Sequence, residues 1–300
     1  GGYDKSLSDE TIAEAFKASI DKGVNFFDTA EVYGNGVSEE ILGRLIKGLP
    51  AAQREKVTVA TKFYPVDPGN NLPRLSLPKD LLSALDNSLT RLQMPSVDLY
   101  QIHAPLLPES PESVADALAE AVKSGRAKSV GVSNYALAEM LPIYNRLDKQ
   151  HGIKLASNQV ELSLLRQLPV TGGLLRESRK LGVGILAYSP LAMGRLTGKY
   201  GKGNKPSGSR FFGKAKPEQL EPLLASMAQI AEARGKTVAQ VALNWVVCQG
   251  AVPIPGAKNA KQAADNAGAL GWELTEEELR ALAGLGKEGK TNPWQHDGKV

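Results

Sequence analysis

Short apolar runs alternate with longer amphipathic runs along the whole chain, and this alternation constrains the fold more than any other feature. The apolar runs are almost continuous in valine, isoleucine, leucine and phenylalanine, as is usual for strands buried on both faces. Such runs separated by helical patterns are typical of βα units around a parallel sheet. The predicted strands are 24–30, 57–63, 97–102, 128–133, 156–161, 183–188 and 251–255.

The segments between the predicted strands carry helix signals. Ser38 precedes two glutamates, and anionic side chains stabilise the positive end of a helix dipole. Pro78 and Pro111 suit first helical turns, where a missing N–H is tolerated. Further helices are predicted at 9–22, 137–149, 171–180, 218–234, 237–249, 259–268 and 275–285.

These elements predict an α/β fold of the (β/α)8 TIM-barrel type, in a single domain over residues 1–300. Barrels of this class commonly fill such a length as one domain. A closed barrel has eight strands, whereas the pattern shows seven, and the helix at 9–22 already precedes the first of them. Either the first barrel strand is missing from this chain, which is the interpretation we favour, or the barrel is completed in an unusual way.

Composition excludes some classes of protein. Lys and Arg number 36 against 32 Asp and Glu, with no block of like charges, whereas a nucleic-acid-binding protein more often has a clustered basic face. No apolar run reaches the length of a membrane helix, so neither nucleic acid nor membrane is an expected partner. The three histidines and one cysteine show no zinc-ligand spacing, so no metal is expected. That cysteine, Cys248, is expected in the core, and the lack of disulfides fits a reducing compartment.

Four polar side chains fall at or just after the C-terminal ends of the first three predicted strands. They are Asp28, Tyr33, Lys62 and His103. In a parallel barrel these ends lie on one face, where loops build the active site. An acid, a phenol, an amine and an imidazole that converge there can transfer protons, which predicts an enzyme.

Each of these residues also has an ordinary interpretation. Tyr33 alone could be a surface aromatic, Lys62 a side chain that extends to solvent, and His103 a hydrogen-bonded structural histidine. Their placement on successive strand ends favours the catalytic interpretation. His151 and His296 have no such context and are expected to be solvent-exposed.

Seven segments, taken in order, resemble the aldo-keto reductase superfamily over essentially the whole chain. They are GVNFFDTAEVYGNGVSEEILG, VATKF, RLQMPSVDLYQIH, VGVSNY, NQVELSLL, LAYSPLAMGRLTGKY and VPIPGAKNAKQAADN. The chain looks closest to the plant and chloroplast-type members, and more distantly resembles the potassium-channel β-subunits. Members normally begin with a β-hairpin and a first strand, so the resemblance implies that both are missing here. It also favours a soluble intracellular protein of the cytoplasm or plastid stroma.

The resemblance implies reduction of a carbonyl, with Tyr33 as the general acid. A free phenol has a pKa near about 10, so it needs help to release its proton at neutral pH. Lys62 is expected to lower the pKa of Tyr33, and Asp28 to hold Lys62 in place and charged. His103 is expected to orient the carbonyl oxygen.

No GxGxxG motif follows a first strand, so the sequence does not indicate a Rossmann site. The resemblance instead implies a cofactor groove of the family's own kind, with NADPH/NADP+ as cofactor. Ser133, Asn134 and Gln159 would bind the nicotinamide carboxamide, and Tyr188 would stack on its ring. The expected pyrophosphate loop consists of Ser189, Pro190, Leu191, Gly194 and Leu196.

The adenosine end bears on the choice between NADPH and NADH. Lys199, Arg210 and Lys258 are expected to hold a 2′-phosphate, and the alternative is that they are solvated loop charges. The remaining expected contacts are Gly256, Gln262 and Asn266. The chain departs here from many reductases, because Gln262 stands where they have an arginine and Gly256 where they have a lysine.

The long loop 192–216 is expected to be a lid over the cofactor, although it could be an ordinary flexible loop. The substrate pocket is expected to be bounded by a largely aromatic set and by the C-terminal tail, 286–300. That set is Tyr33, Phe63, Tyr64, His103, Ala104 and Trp294. Aromatic walls favour aldehydes with apolar or aromatic bodies.

Two functions are compatible with these features. The first is NADPH-dependent reduction of a small aldehyde or ketone to an alcohol. The second is a regulatory subunit that senses NADP(H) and whose turnover is vestigial. The intact tetrad favours turnover, and the cofactor segments argue against a Schiff-base aldolase that would use Lys62. The sequence predicts neither the physiological substrate nor the oligomeric state.

Overall fold

Seven parallel strands form one sheet, in which each strand pairs with the next along the chain. The structure is a computed structural model that describes residues 7–69, 72–74, 76–200, 204, 217–289 and 291–297. The strands are β1 (Phe26–Asp28), β2 (Thr58–Phe63), β3 (Val97–Ile102), β4 (Ala127–Ser133), β5 (Leu155–Glu161), β6 (Gly184–Tyr188) and β7 (Val252–Pro253).

All seven strands lie within or one residue outside the predicted ranges, which confirms the βα pattern. The largest difference is β7, which spans Val252–Pro253 where 251–255 was predicted. Proline has no N–H to donate to a neighbouring strand, and two prolines stand in this short run, at 253 and 255. Ile254, between them, still donates its N–H to the carbonyl of Ala187 at 3.0 Å.

Helices connect the strands, as the sequence predicts. They are α1 (Asp9–Asp21), α2 (Val37–Lys47), α3 (Ala51–Arg54), α4 (Lys79–Leu92), α5 (Pro111–Lys123), α6 (Leu137–Arg146), α7 (Leu168–Thr171), α8 (Leu174–Leu181), α9 (Pro217–Arg234), α10 (Val238–Cys248), α11 (Ala260–Ala267) and α12 (Glu276–Leu285). A π-helical turn, Leu147–His151, extends α6, and a 3₁₀ helix, Ala192–Thr197, follows β6.

One predicted helix is divided in two. The range 171–180 was predicted as a single helix, but α7 ends at Thr171 and α8 begins at Leu174. Gly173 lies between them with φ at 82°, a left-handed conformation that glycine adopts without steric cost. Because a right-handed helix cannot pass through such a residue, the chain turns there.

The core has an outer and an inner part. One outer cluster packs β2–β4 against α4–α6, and Leu85 and Leu118 in it are fully buried. A second outer cluster packs β5 and β6 against α8–α10, and Trp245 in it is 1% exposed. The inner cluster is small, and its buried members are Ala60, Leu99 and Leu186. Since side chains alternate along a strand, Lys62 shares the inner face with Ala60. The inner face is therefore apolar in part and polar at the C-terminal strand ends.

The sheet ends at β1 on one side and at β7 on the other. In the part of the chain that the structure describes, β1 pairs with β2 alone and β7 with β6 alone. Helices α1 and α11 pack against each other, so the helical layer continues past these edges. Val252 on β7 is 50% exposed, which is unusual for a valine of a parallel sheet.

Three of the expected burial states are wrong. His151 is half-buried, with Nε2 2.6 Å from Asp116 Oδ1, and His296 is half-buried, with Nδ1 2.7 Å from Glu139 Oε1. Both histidines were expected in solvent, but a neighbouring carboxylate on an outer helix holds each of them. Cys248 is half-buried rather than in the core, because it lies at the last position of α10.

Two kinds of feature are absent from the described ranges. None of their helices is long and apolar enough to cross a membrane. Nor do they contain a group of three or more histidine, cysteine, aspartate or glutamate side chains placed to bind a metal ion.

We predict that Gly43→Ala destabilises the protein. An added Cβ would lie 2.4 Å from the Leu92 carbonyl oxygen and 2.8 Å from its Cα, so α2 and α4 would have to separate. Overpacking of this kind costs about 1–3 kcal/mol, which exceeds the gain in helix propensity of roughly 1 kcal/mol. Urea denaturation should show the loss.

Gly48→Ala is the matched control, because its added Cβ would approach no atom closer than 3.5 Å. If both variants have the same free energy of unfolding, close packing at Gly43 does not limit the α2–α4 interface.

Candidate active site

A buried ion pair lies at the C-terminal ends of β1 and β2. Lys62 Nζ donates to Asp28 Oδ2 at 2.5 Å and to the Thr29 carbonyl oxygen at 2.8 Å, and the Lys62 side chain has no exposed surface. The other Asp28 oxygen, Oδ1, accepts a hydrogen bond from Gln159 Nε2 at 2.8 Å. The carboxylate therefore joins β1 to β2 on one side and to β5 across the inner face.

Tyr33 and His103 complete the tetrad. Lys62 Nζ lies 5.2 Å from the centroid of the Tyr33 ring, and the Tyr33 and His103 rings meet edge to face with centroids 5.7 Å apart. Tyr64 packs edge to face on His103, with centroids 5.4 Å apart. The four residues that the sequence singles out thus converge on one end of the sheet.

Two opposing effects act on the pKa of Tyr33. Burial raises the pKa of Tyr33 above its usual value, and the Lys62 ammonium opposes this increase without reversing it. Lys62 thus lowers the pKa of Tyr33, as expected, but burial disfavours the phenolate more than Lys62 favours it, so the net shift is upward. Tyr33 is a protonated phenol at neutral pH.

Lys62 and His103 have opposite charge states. Burial lowers the pKa of Lys62, but Asp28 and Tyr33 outweigh that effect, so the net shift is upward and Lys62 is an ammonium. Burial and the Lys62 charge together hold the pKa of His103 well below its usual value. The imidazole is therefore neutral, and its Nδ1 is buried without a hydrogen-bond partner among the described residues. A neutral imidazole can donate one hydrogen bond and accept another, so it can bind a polar atom of a ligand.

The residues expected at the carboxamide lie together beside the tetrad. Ser133 Oγ donates to the Gln159 carbonyl oxygen at 2.8 Å. Asn134 has φ at 67°, and its Nδ2 donates to Ser133 Oγ at 3.0 Å and to the His103 carbonyl oxygen at 3.2 Å. Tyr188 Oη donates to Asn134 Oδ1 at 2.8 Å. Strands β3, β4, β5 and β6 are thus linked through polar side chains at one end of the sheet.

The expected pyrophosphate loop has an unusual backbone. Ser189, Ala192 and Met193 have φ between 47° and 54°, and Gly194 has φ at 88°. Positive φ is costly for residues with a side chain, and clusters of such residues mark binding sites. Consecutive amides in turns of this kind form concave anion sites. Within this loop Pro190 and Leu196 are buried and Leu191 is half-buried, so the apolar members anchor it.

The expected adenosine-end residues lie around the start of α11. Asn259 caps this helix by accepting from the Gln262 N–H at 3.0 Å, and Gln262 Oε1 accepts from the Lys258 N–H at 2.9 Å. Asn266 Nδ2 donates to the Gly256 carbonyl oxygen at 3.4 Å. The turn before α11 is therefore held in shape by its own side chains.

The cations expected at the 2′-phosphate are only partly placed by the structure. Lys258 and Lys199 are exposed, and Lys199 Nζ lies 5.5 Å from the Tyr200 ring centroid. Arg210 and most of the expected lid, at 201–203 and 205–216, lie outside the described residues.

An ion pair that the sequence analysis missed fixes the wall beside the tetrad. Glu31 is buried and accepts from the Tyr64 N–H at 2.7 Å and from Arg74 Nη1 and Nη2 at 2.5 and 2.9 Å. The Arg74 guanidinium lies over the Phe63 ring, 4.9 Å from its centroid. Glu31 lies three residues after Asp28, so the sequence could have pointed to it as a site residue. No local pattern indicates its partner Arg74, which lies 43 residues further along the chain.

One expected pocket residue is placed differently. Phe63 is fully buried in the outer core, on the face of β2 opposite Lys62, and so does not border a pocket. Trp294 is 40% exposed in the tail. The next tail residue, Gln295, is buried against Glu161 and Tyr188, a contact that no sequence signal indicated.

Comparisons with known proteins agree with this geometry. The model of the Aldo/keto reductase family matches residues 1–287. Chloroplastic pyridoxal reductase of Arabidopsis thaliana is 40% identical over 301 residues, covering 96% of this chain and 79% of that protein. L-glyceraldehyde 3-phosphate reductase of Escherichia coli K12 is 33% identical over 298 residues, covering 93% of this chain and 84% of that protein.

Solved structures have the same fold. The glycerol dehydrogenase of Gluconobacter oxydans has a TM-score of 0.81 at 28% identity, covering 95% of this chain and 88% of that chain. An aldo-keto reductase of Klebsiella pneumoniae in complex with NADPH has a TM-score of 0.73 at 28% identity, with the same coverage. The parallel sheet is thus similar to the barrels of aldo-keto reductases.

We predict that Glu161→Gln removes a pH-dependent loss of stability. Burial raises the pKa of Glu161 to about 7, although Gln295 and Arg166 lower it in part. The folded protein therefore binds a proton more tightly than the unfolded chain. Stability falls as pH rises through the interval from the unfolded pKa, 4.5, to about 7, by roughly 3 kcal/mol at most.

Thermal denaturation at pH 5.5 and pH 8 checks this expectation. At pH 8 the variant should have a higher melting temperature than the wild type. At pH 5.5 the difference between the two melting temperatures should be much smaller. Glu40→Gln, at an exposed position of α2, is the control. An equal difference from the wild type at both pH values would show that Glu161 does not titrate in this range.

Proposed function

Because the chain belongs to the aldo/keto reductase family, we propose that it reduces aldehydes or ketones to alcohols with NADPH, with Tyr33 as the general acid. The observation that supports this most is the buried pair of Lys62 and Asp28, which places an ammonium against Tyr33 beside a neutral His103. No ordinary structural role requires this combination of groups at one end of a sheet.

The residues present fit the proposed cofactor. NADPH, when bound, supplies the hydride. Ser133, Asn134 and Gln159 offer amide and hydroxyl groups of the kind that bind a carboxamide. The left-handed backbone between Ser189 and Gly194 suits a pyrophosphate. The Klebsiella pneumoniae relative was crystallised with NADPH, which supports the same choice here.

The remaining expected cofactor residues complete the proposed groove. Tyr188 is proposed to provide the ring platform for the nicotinamide. The adenosine end is proposed to lie against the turn before α11, with the side chains of Lys199 and Lys258 as cations for the 2′-phosphate. Both lysines are exposed, as groups that contact a surface phosphate must be.

The proton transfer follows from the charge states of the tetrad. The raised pKa of Tyr33 keeps the phenol protonated, so it can give its proton to a carbonyl oxygen. The phenolate that remains would face the Lys62 ammonium, which Asp28 keeps charged and in place. His103, as a neutral imidazole, would donate a hydrogen bond to the same carbonyl oxygen.

We propose an aromatic aldehyde as the substrate class. Tyr33, Tyr64 and His103 form a continuous edge-to-face wall, which suits a flat aromatic body. The identity of 40% to a pyridoxal reductase points the same way, since pyridoxal is an aromatic aldehyde. Pyridoxal is therefore the first substrate to test, with benzaldehyde and short aliphatic aldehydes for comparison.

Tyr33→Phe should abolish most turnover and leave NADPH binding intact. Removal of a general acid lowers kcat by roughly 100-fold or more, whereas the ring still packs against His103. NADPH oxidation at 340 nm with the aldehyde panel measures turnover, and calorimetric titration measures binding. Tyr144→Phe, a half-buried position on α6, is the control.

An unchanged kcat in Tyr33→Phe would refute the assigned acid. If the wild-type chain binds NADPH but reduces no member of the panel, a regulatory nucleotide-binding subunit becomes the better interpretation.

We also propose that an eighth strand, preceded by a hairpin, lies between β7 and β1 in the complete (β/α)8 barrel. Among the described residues, both sheet edges lack a second neighbouring strand, and this, the exposed Val252 and the contact of α1 with α11 support a one-strand opening. An extension before residue 1 that encodes a β-branched strand of about six residues should raise the melting temperature by several degrees. A proline-containing extension of equal length is the control, and equal melting temperatures would refute the proposal.

A further inference from the structure

Three consecutive tail residues, Gln295, His296 and Asp297, attach the tail to the end of the sheet that carries the tetrad. Asp297 Oδ2 accepts from Arg166 Nη2 at 3.3 Å, and His296 Nδ1 lies 2.7 Å from Glu139 Oε1. These two contacts hold the tail against residues outside the proposed cofactor groove. The backbone N–H of His296 does reach that groove, because it donates to the Asn134 carbonyl oxygen at 3.0 Å. Of these three tail residues, Gln295 is the one whose side chain contacts a residue of the groove.

Every hydrogen-bonding position of the Gln295 amide is occupied, and one orientation of the amide satisfies all of its partners. Its Nε2 donates to Glu161 Oε2 and, at 2.9 Å, to Tyr188 Oη. Its Oε1 accepts from the Asn292 N–H at 2.8 Å and from Asn292 Nδ2 at 3.2 Å. A flipped amide would place its NH2 group against the Asn292 N–H, which can only donate, so the observed orientation is strongly favoured. With only 1% of its surface exposed, Gln295 has no polar position left for a ligand.

Tyr188 transmits this contact to the tetrad. Its hydroxyl accepts from Gln295 and donates to Asn134 Oδ1 at 2.8 Å, so both of its hydrogen-bonding roles are filled. Asn134 Nδ2 then donates to the His103 carbonyl oxygen at 3.2 Å. A continuous chain of hydrogen bonds thus runs from the tail to the strand end that carries His103.

We propose that Gln295 is a positioning residue for the nicotinamide half of NADPH, acting through Tyr188 and Asn134, an inference that rests on the proposed function. A ring platform held at its hydroxyl cannot tilt freely, so less ordering is needed when a planar group stacks on it. The same contact fixes the direction of the Asn134 side chain, which is proposed to bind the carboxamide. The adenosine half lies against other residues and is independent of Gln295.

The test compares two ligands on one variant. Gln295→Leu keeps most of the side-chain volume and removes every hydrogen bond of the amide. The dissociation constant for NADPH should increase about tenfold, as for the loss of one buried hydrogen bond, whereas that for 2′,5′-ADP, which lacks the nicotinamide, should not change. Calorimetric titration measures both constants without turnover.

The His296→Ala variant is the matched control, since it releases the contact of the tail with Glu139 and leaves the Gln295 amide in place. It should bind both ligands like the wild type. An equal weakening of NADPH and 2′,5′-ADP in Gln295→Leu, or no weakening of either, would overturn the inference. A wild-type chain that binds neither ligand would overturn the proposed function itself.

The Tyr188→Phe variant tests whether Gln295 acts through the Tyr188 hydroxyl. It also replaces Gln295→Leu as the test if that variant does not fold. It keeps the ring and removes the hydroxyl, so it should show the same selective loss of NADPH affinity. Adding Gln295→Leu to Tyr188→Phe should then weaken NADPH binding by less than about twofold. Fully additive losses would show that Gln295 does not act through the Tyr188 hydroxyl, and the inference would be wrong.

Discussion

The buried ion pair between Lys62 and Asp28 is the interaction on which the rest of the site depends. A lysine with no exposed surface stays charged only where opposite charge and hydrogen-bond acceptors replace water. Asp28 and the Thr29 carbonyl oxygen provide both, and Gln159 satisfies the second carboxylate oxygen. Loss of one partner of such a pair typically costs about 3–5 kcal/mol, because it leaves an uncompensated charge. The pair therefore links the proposed catalytic site to the stability of the sheet.

Burial sets the protonation states of Tyr33 and His103, and the Lys62 charge modifies the pKa of each. This charge opposes the effect of burial on Tyr33 and adds to the effect of burial on His103, so one residue is a protonated acid and the other a neutral ring. Two groups with different roles thus result from one ammonium and one shared environment. The ionic balance is compatible with the proposed role of Tyr33 as acid despite its raised pKa, since its anion would form beside Lys62.

Polar contacts across the sheet extend this arrangement to the end of the chain. Gln159 joins Asp28 to β5, Asn134 joins β4 to the carbonyl of His103, and Tyr188 joins Asn134 to Gln295. Each of these side chains is buried or half-buried, where an unpaired polar group is costly. The tail is consequently part of the site, although it lies 134 residues after Glu161, with which it shares a hydrogen bond.

The sequence by itself determined the order of strands and helices and the four tetrad positions, because apolar periodicity and strand ends are local patterns. The family resemblance added the residues around Asn134 and Tyr188, which lie in short motifs. Only the tertiary structure decided the net shift of the Tyr33 pKa, the burial of Phe63 in the outer core and the contact of Gln295 with Tyr188. These depend on burial and on pairs far apart in the chain, and no local pattern records either.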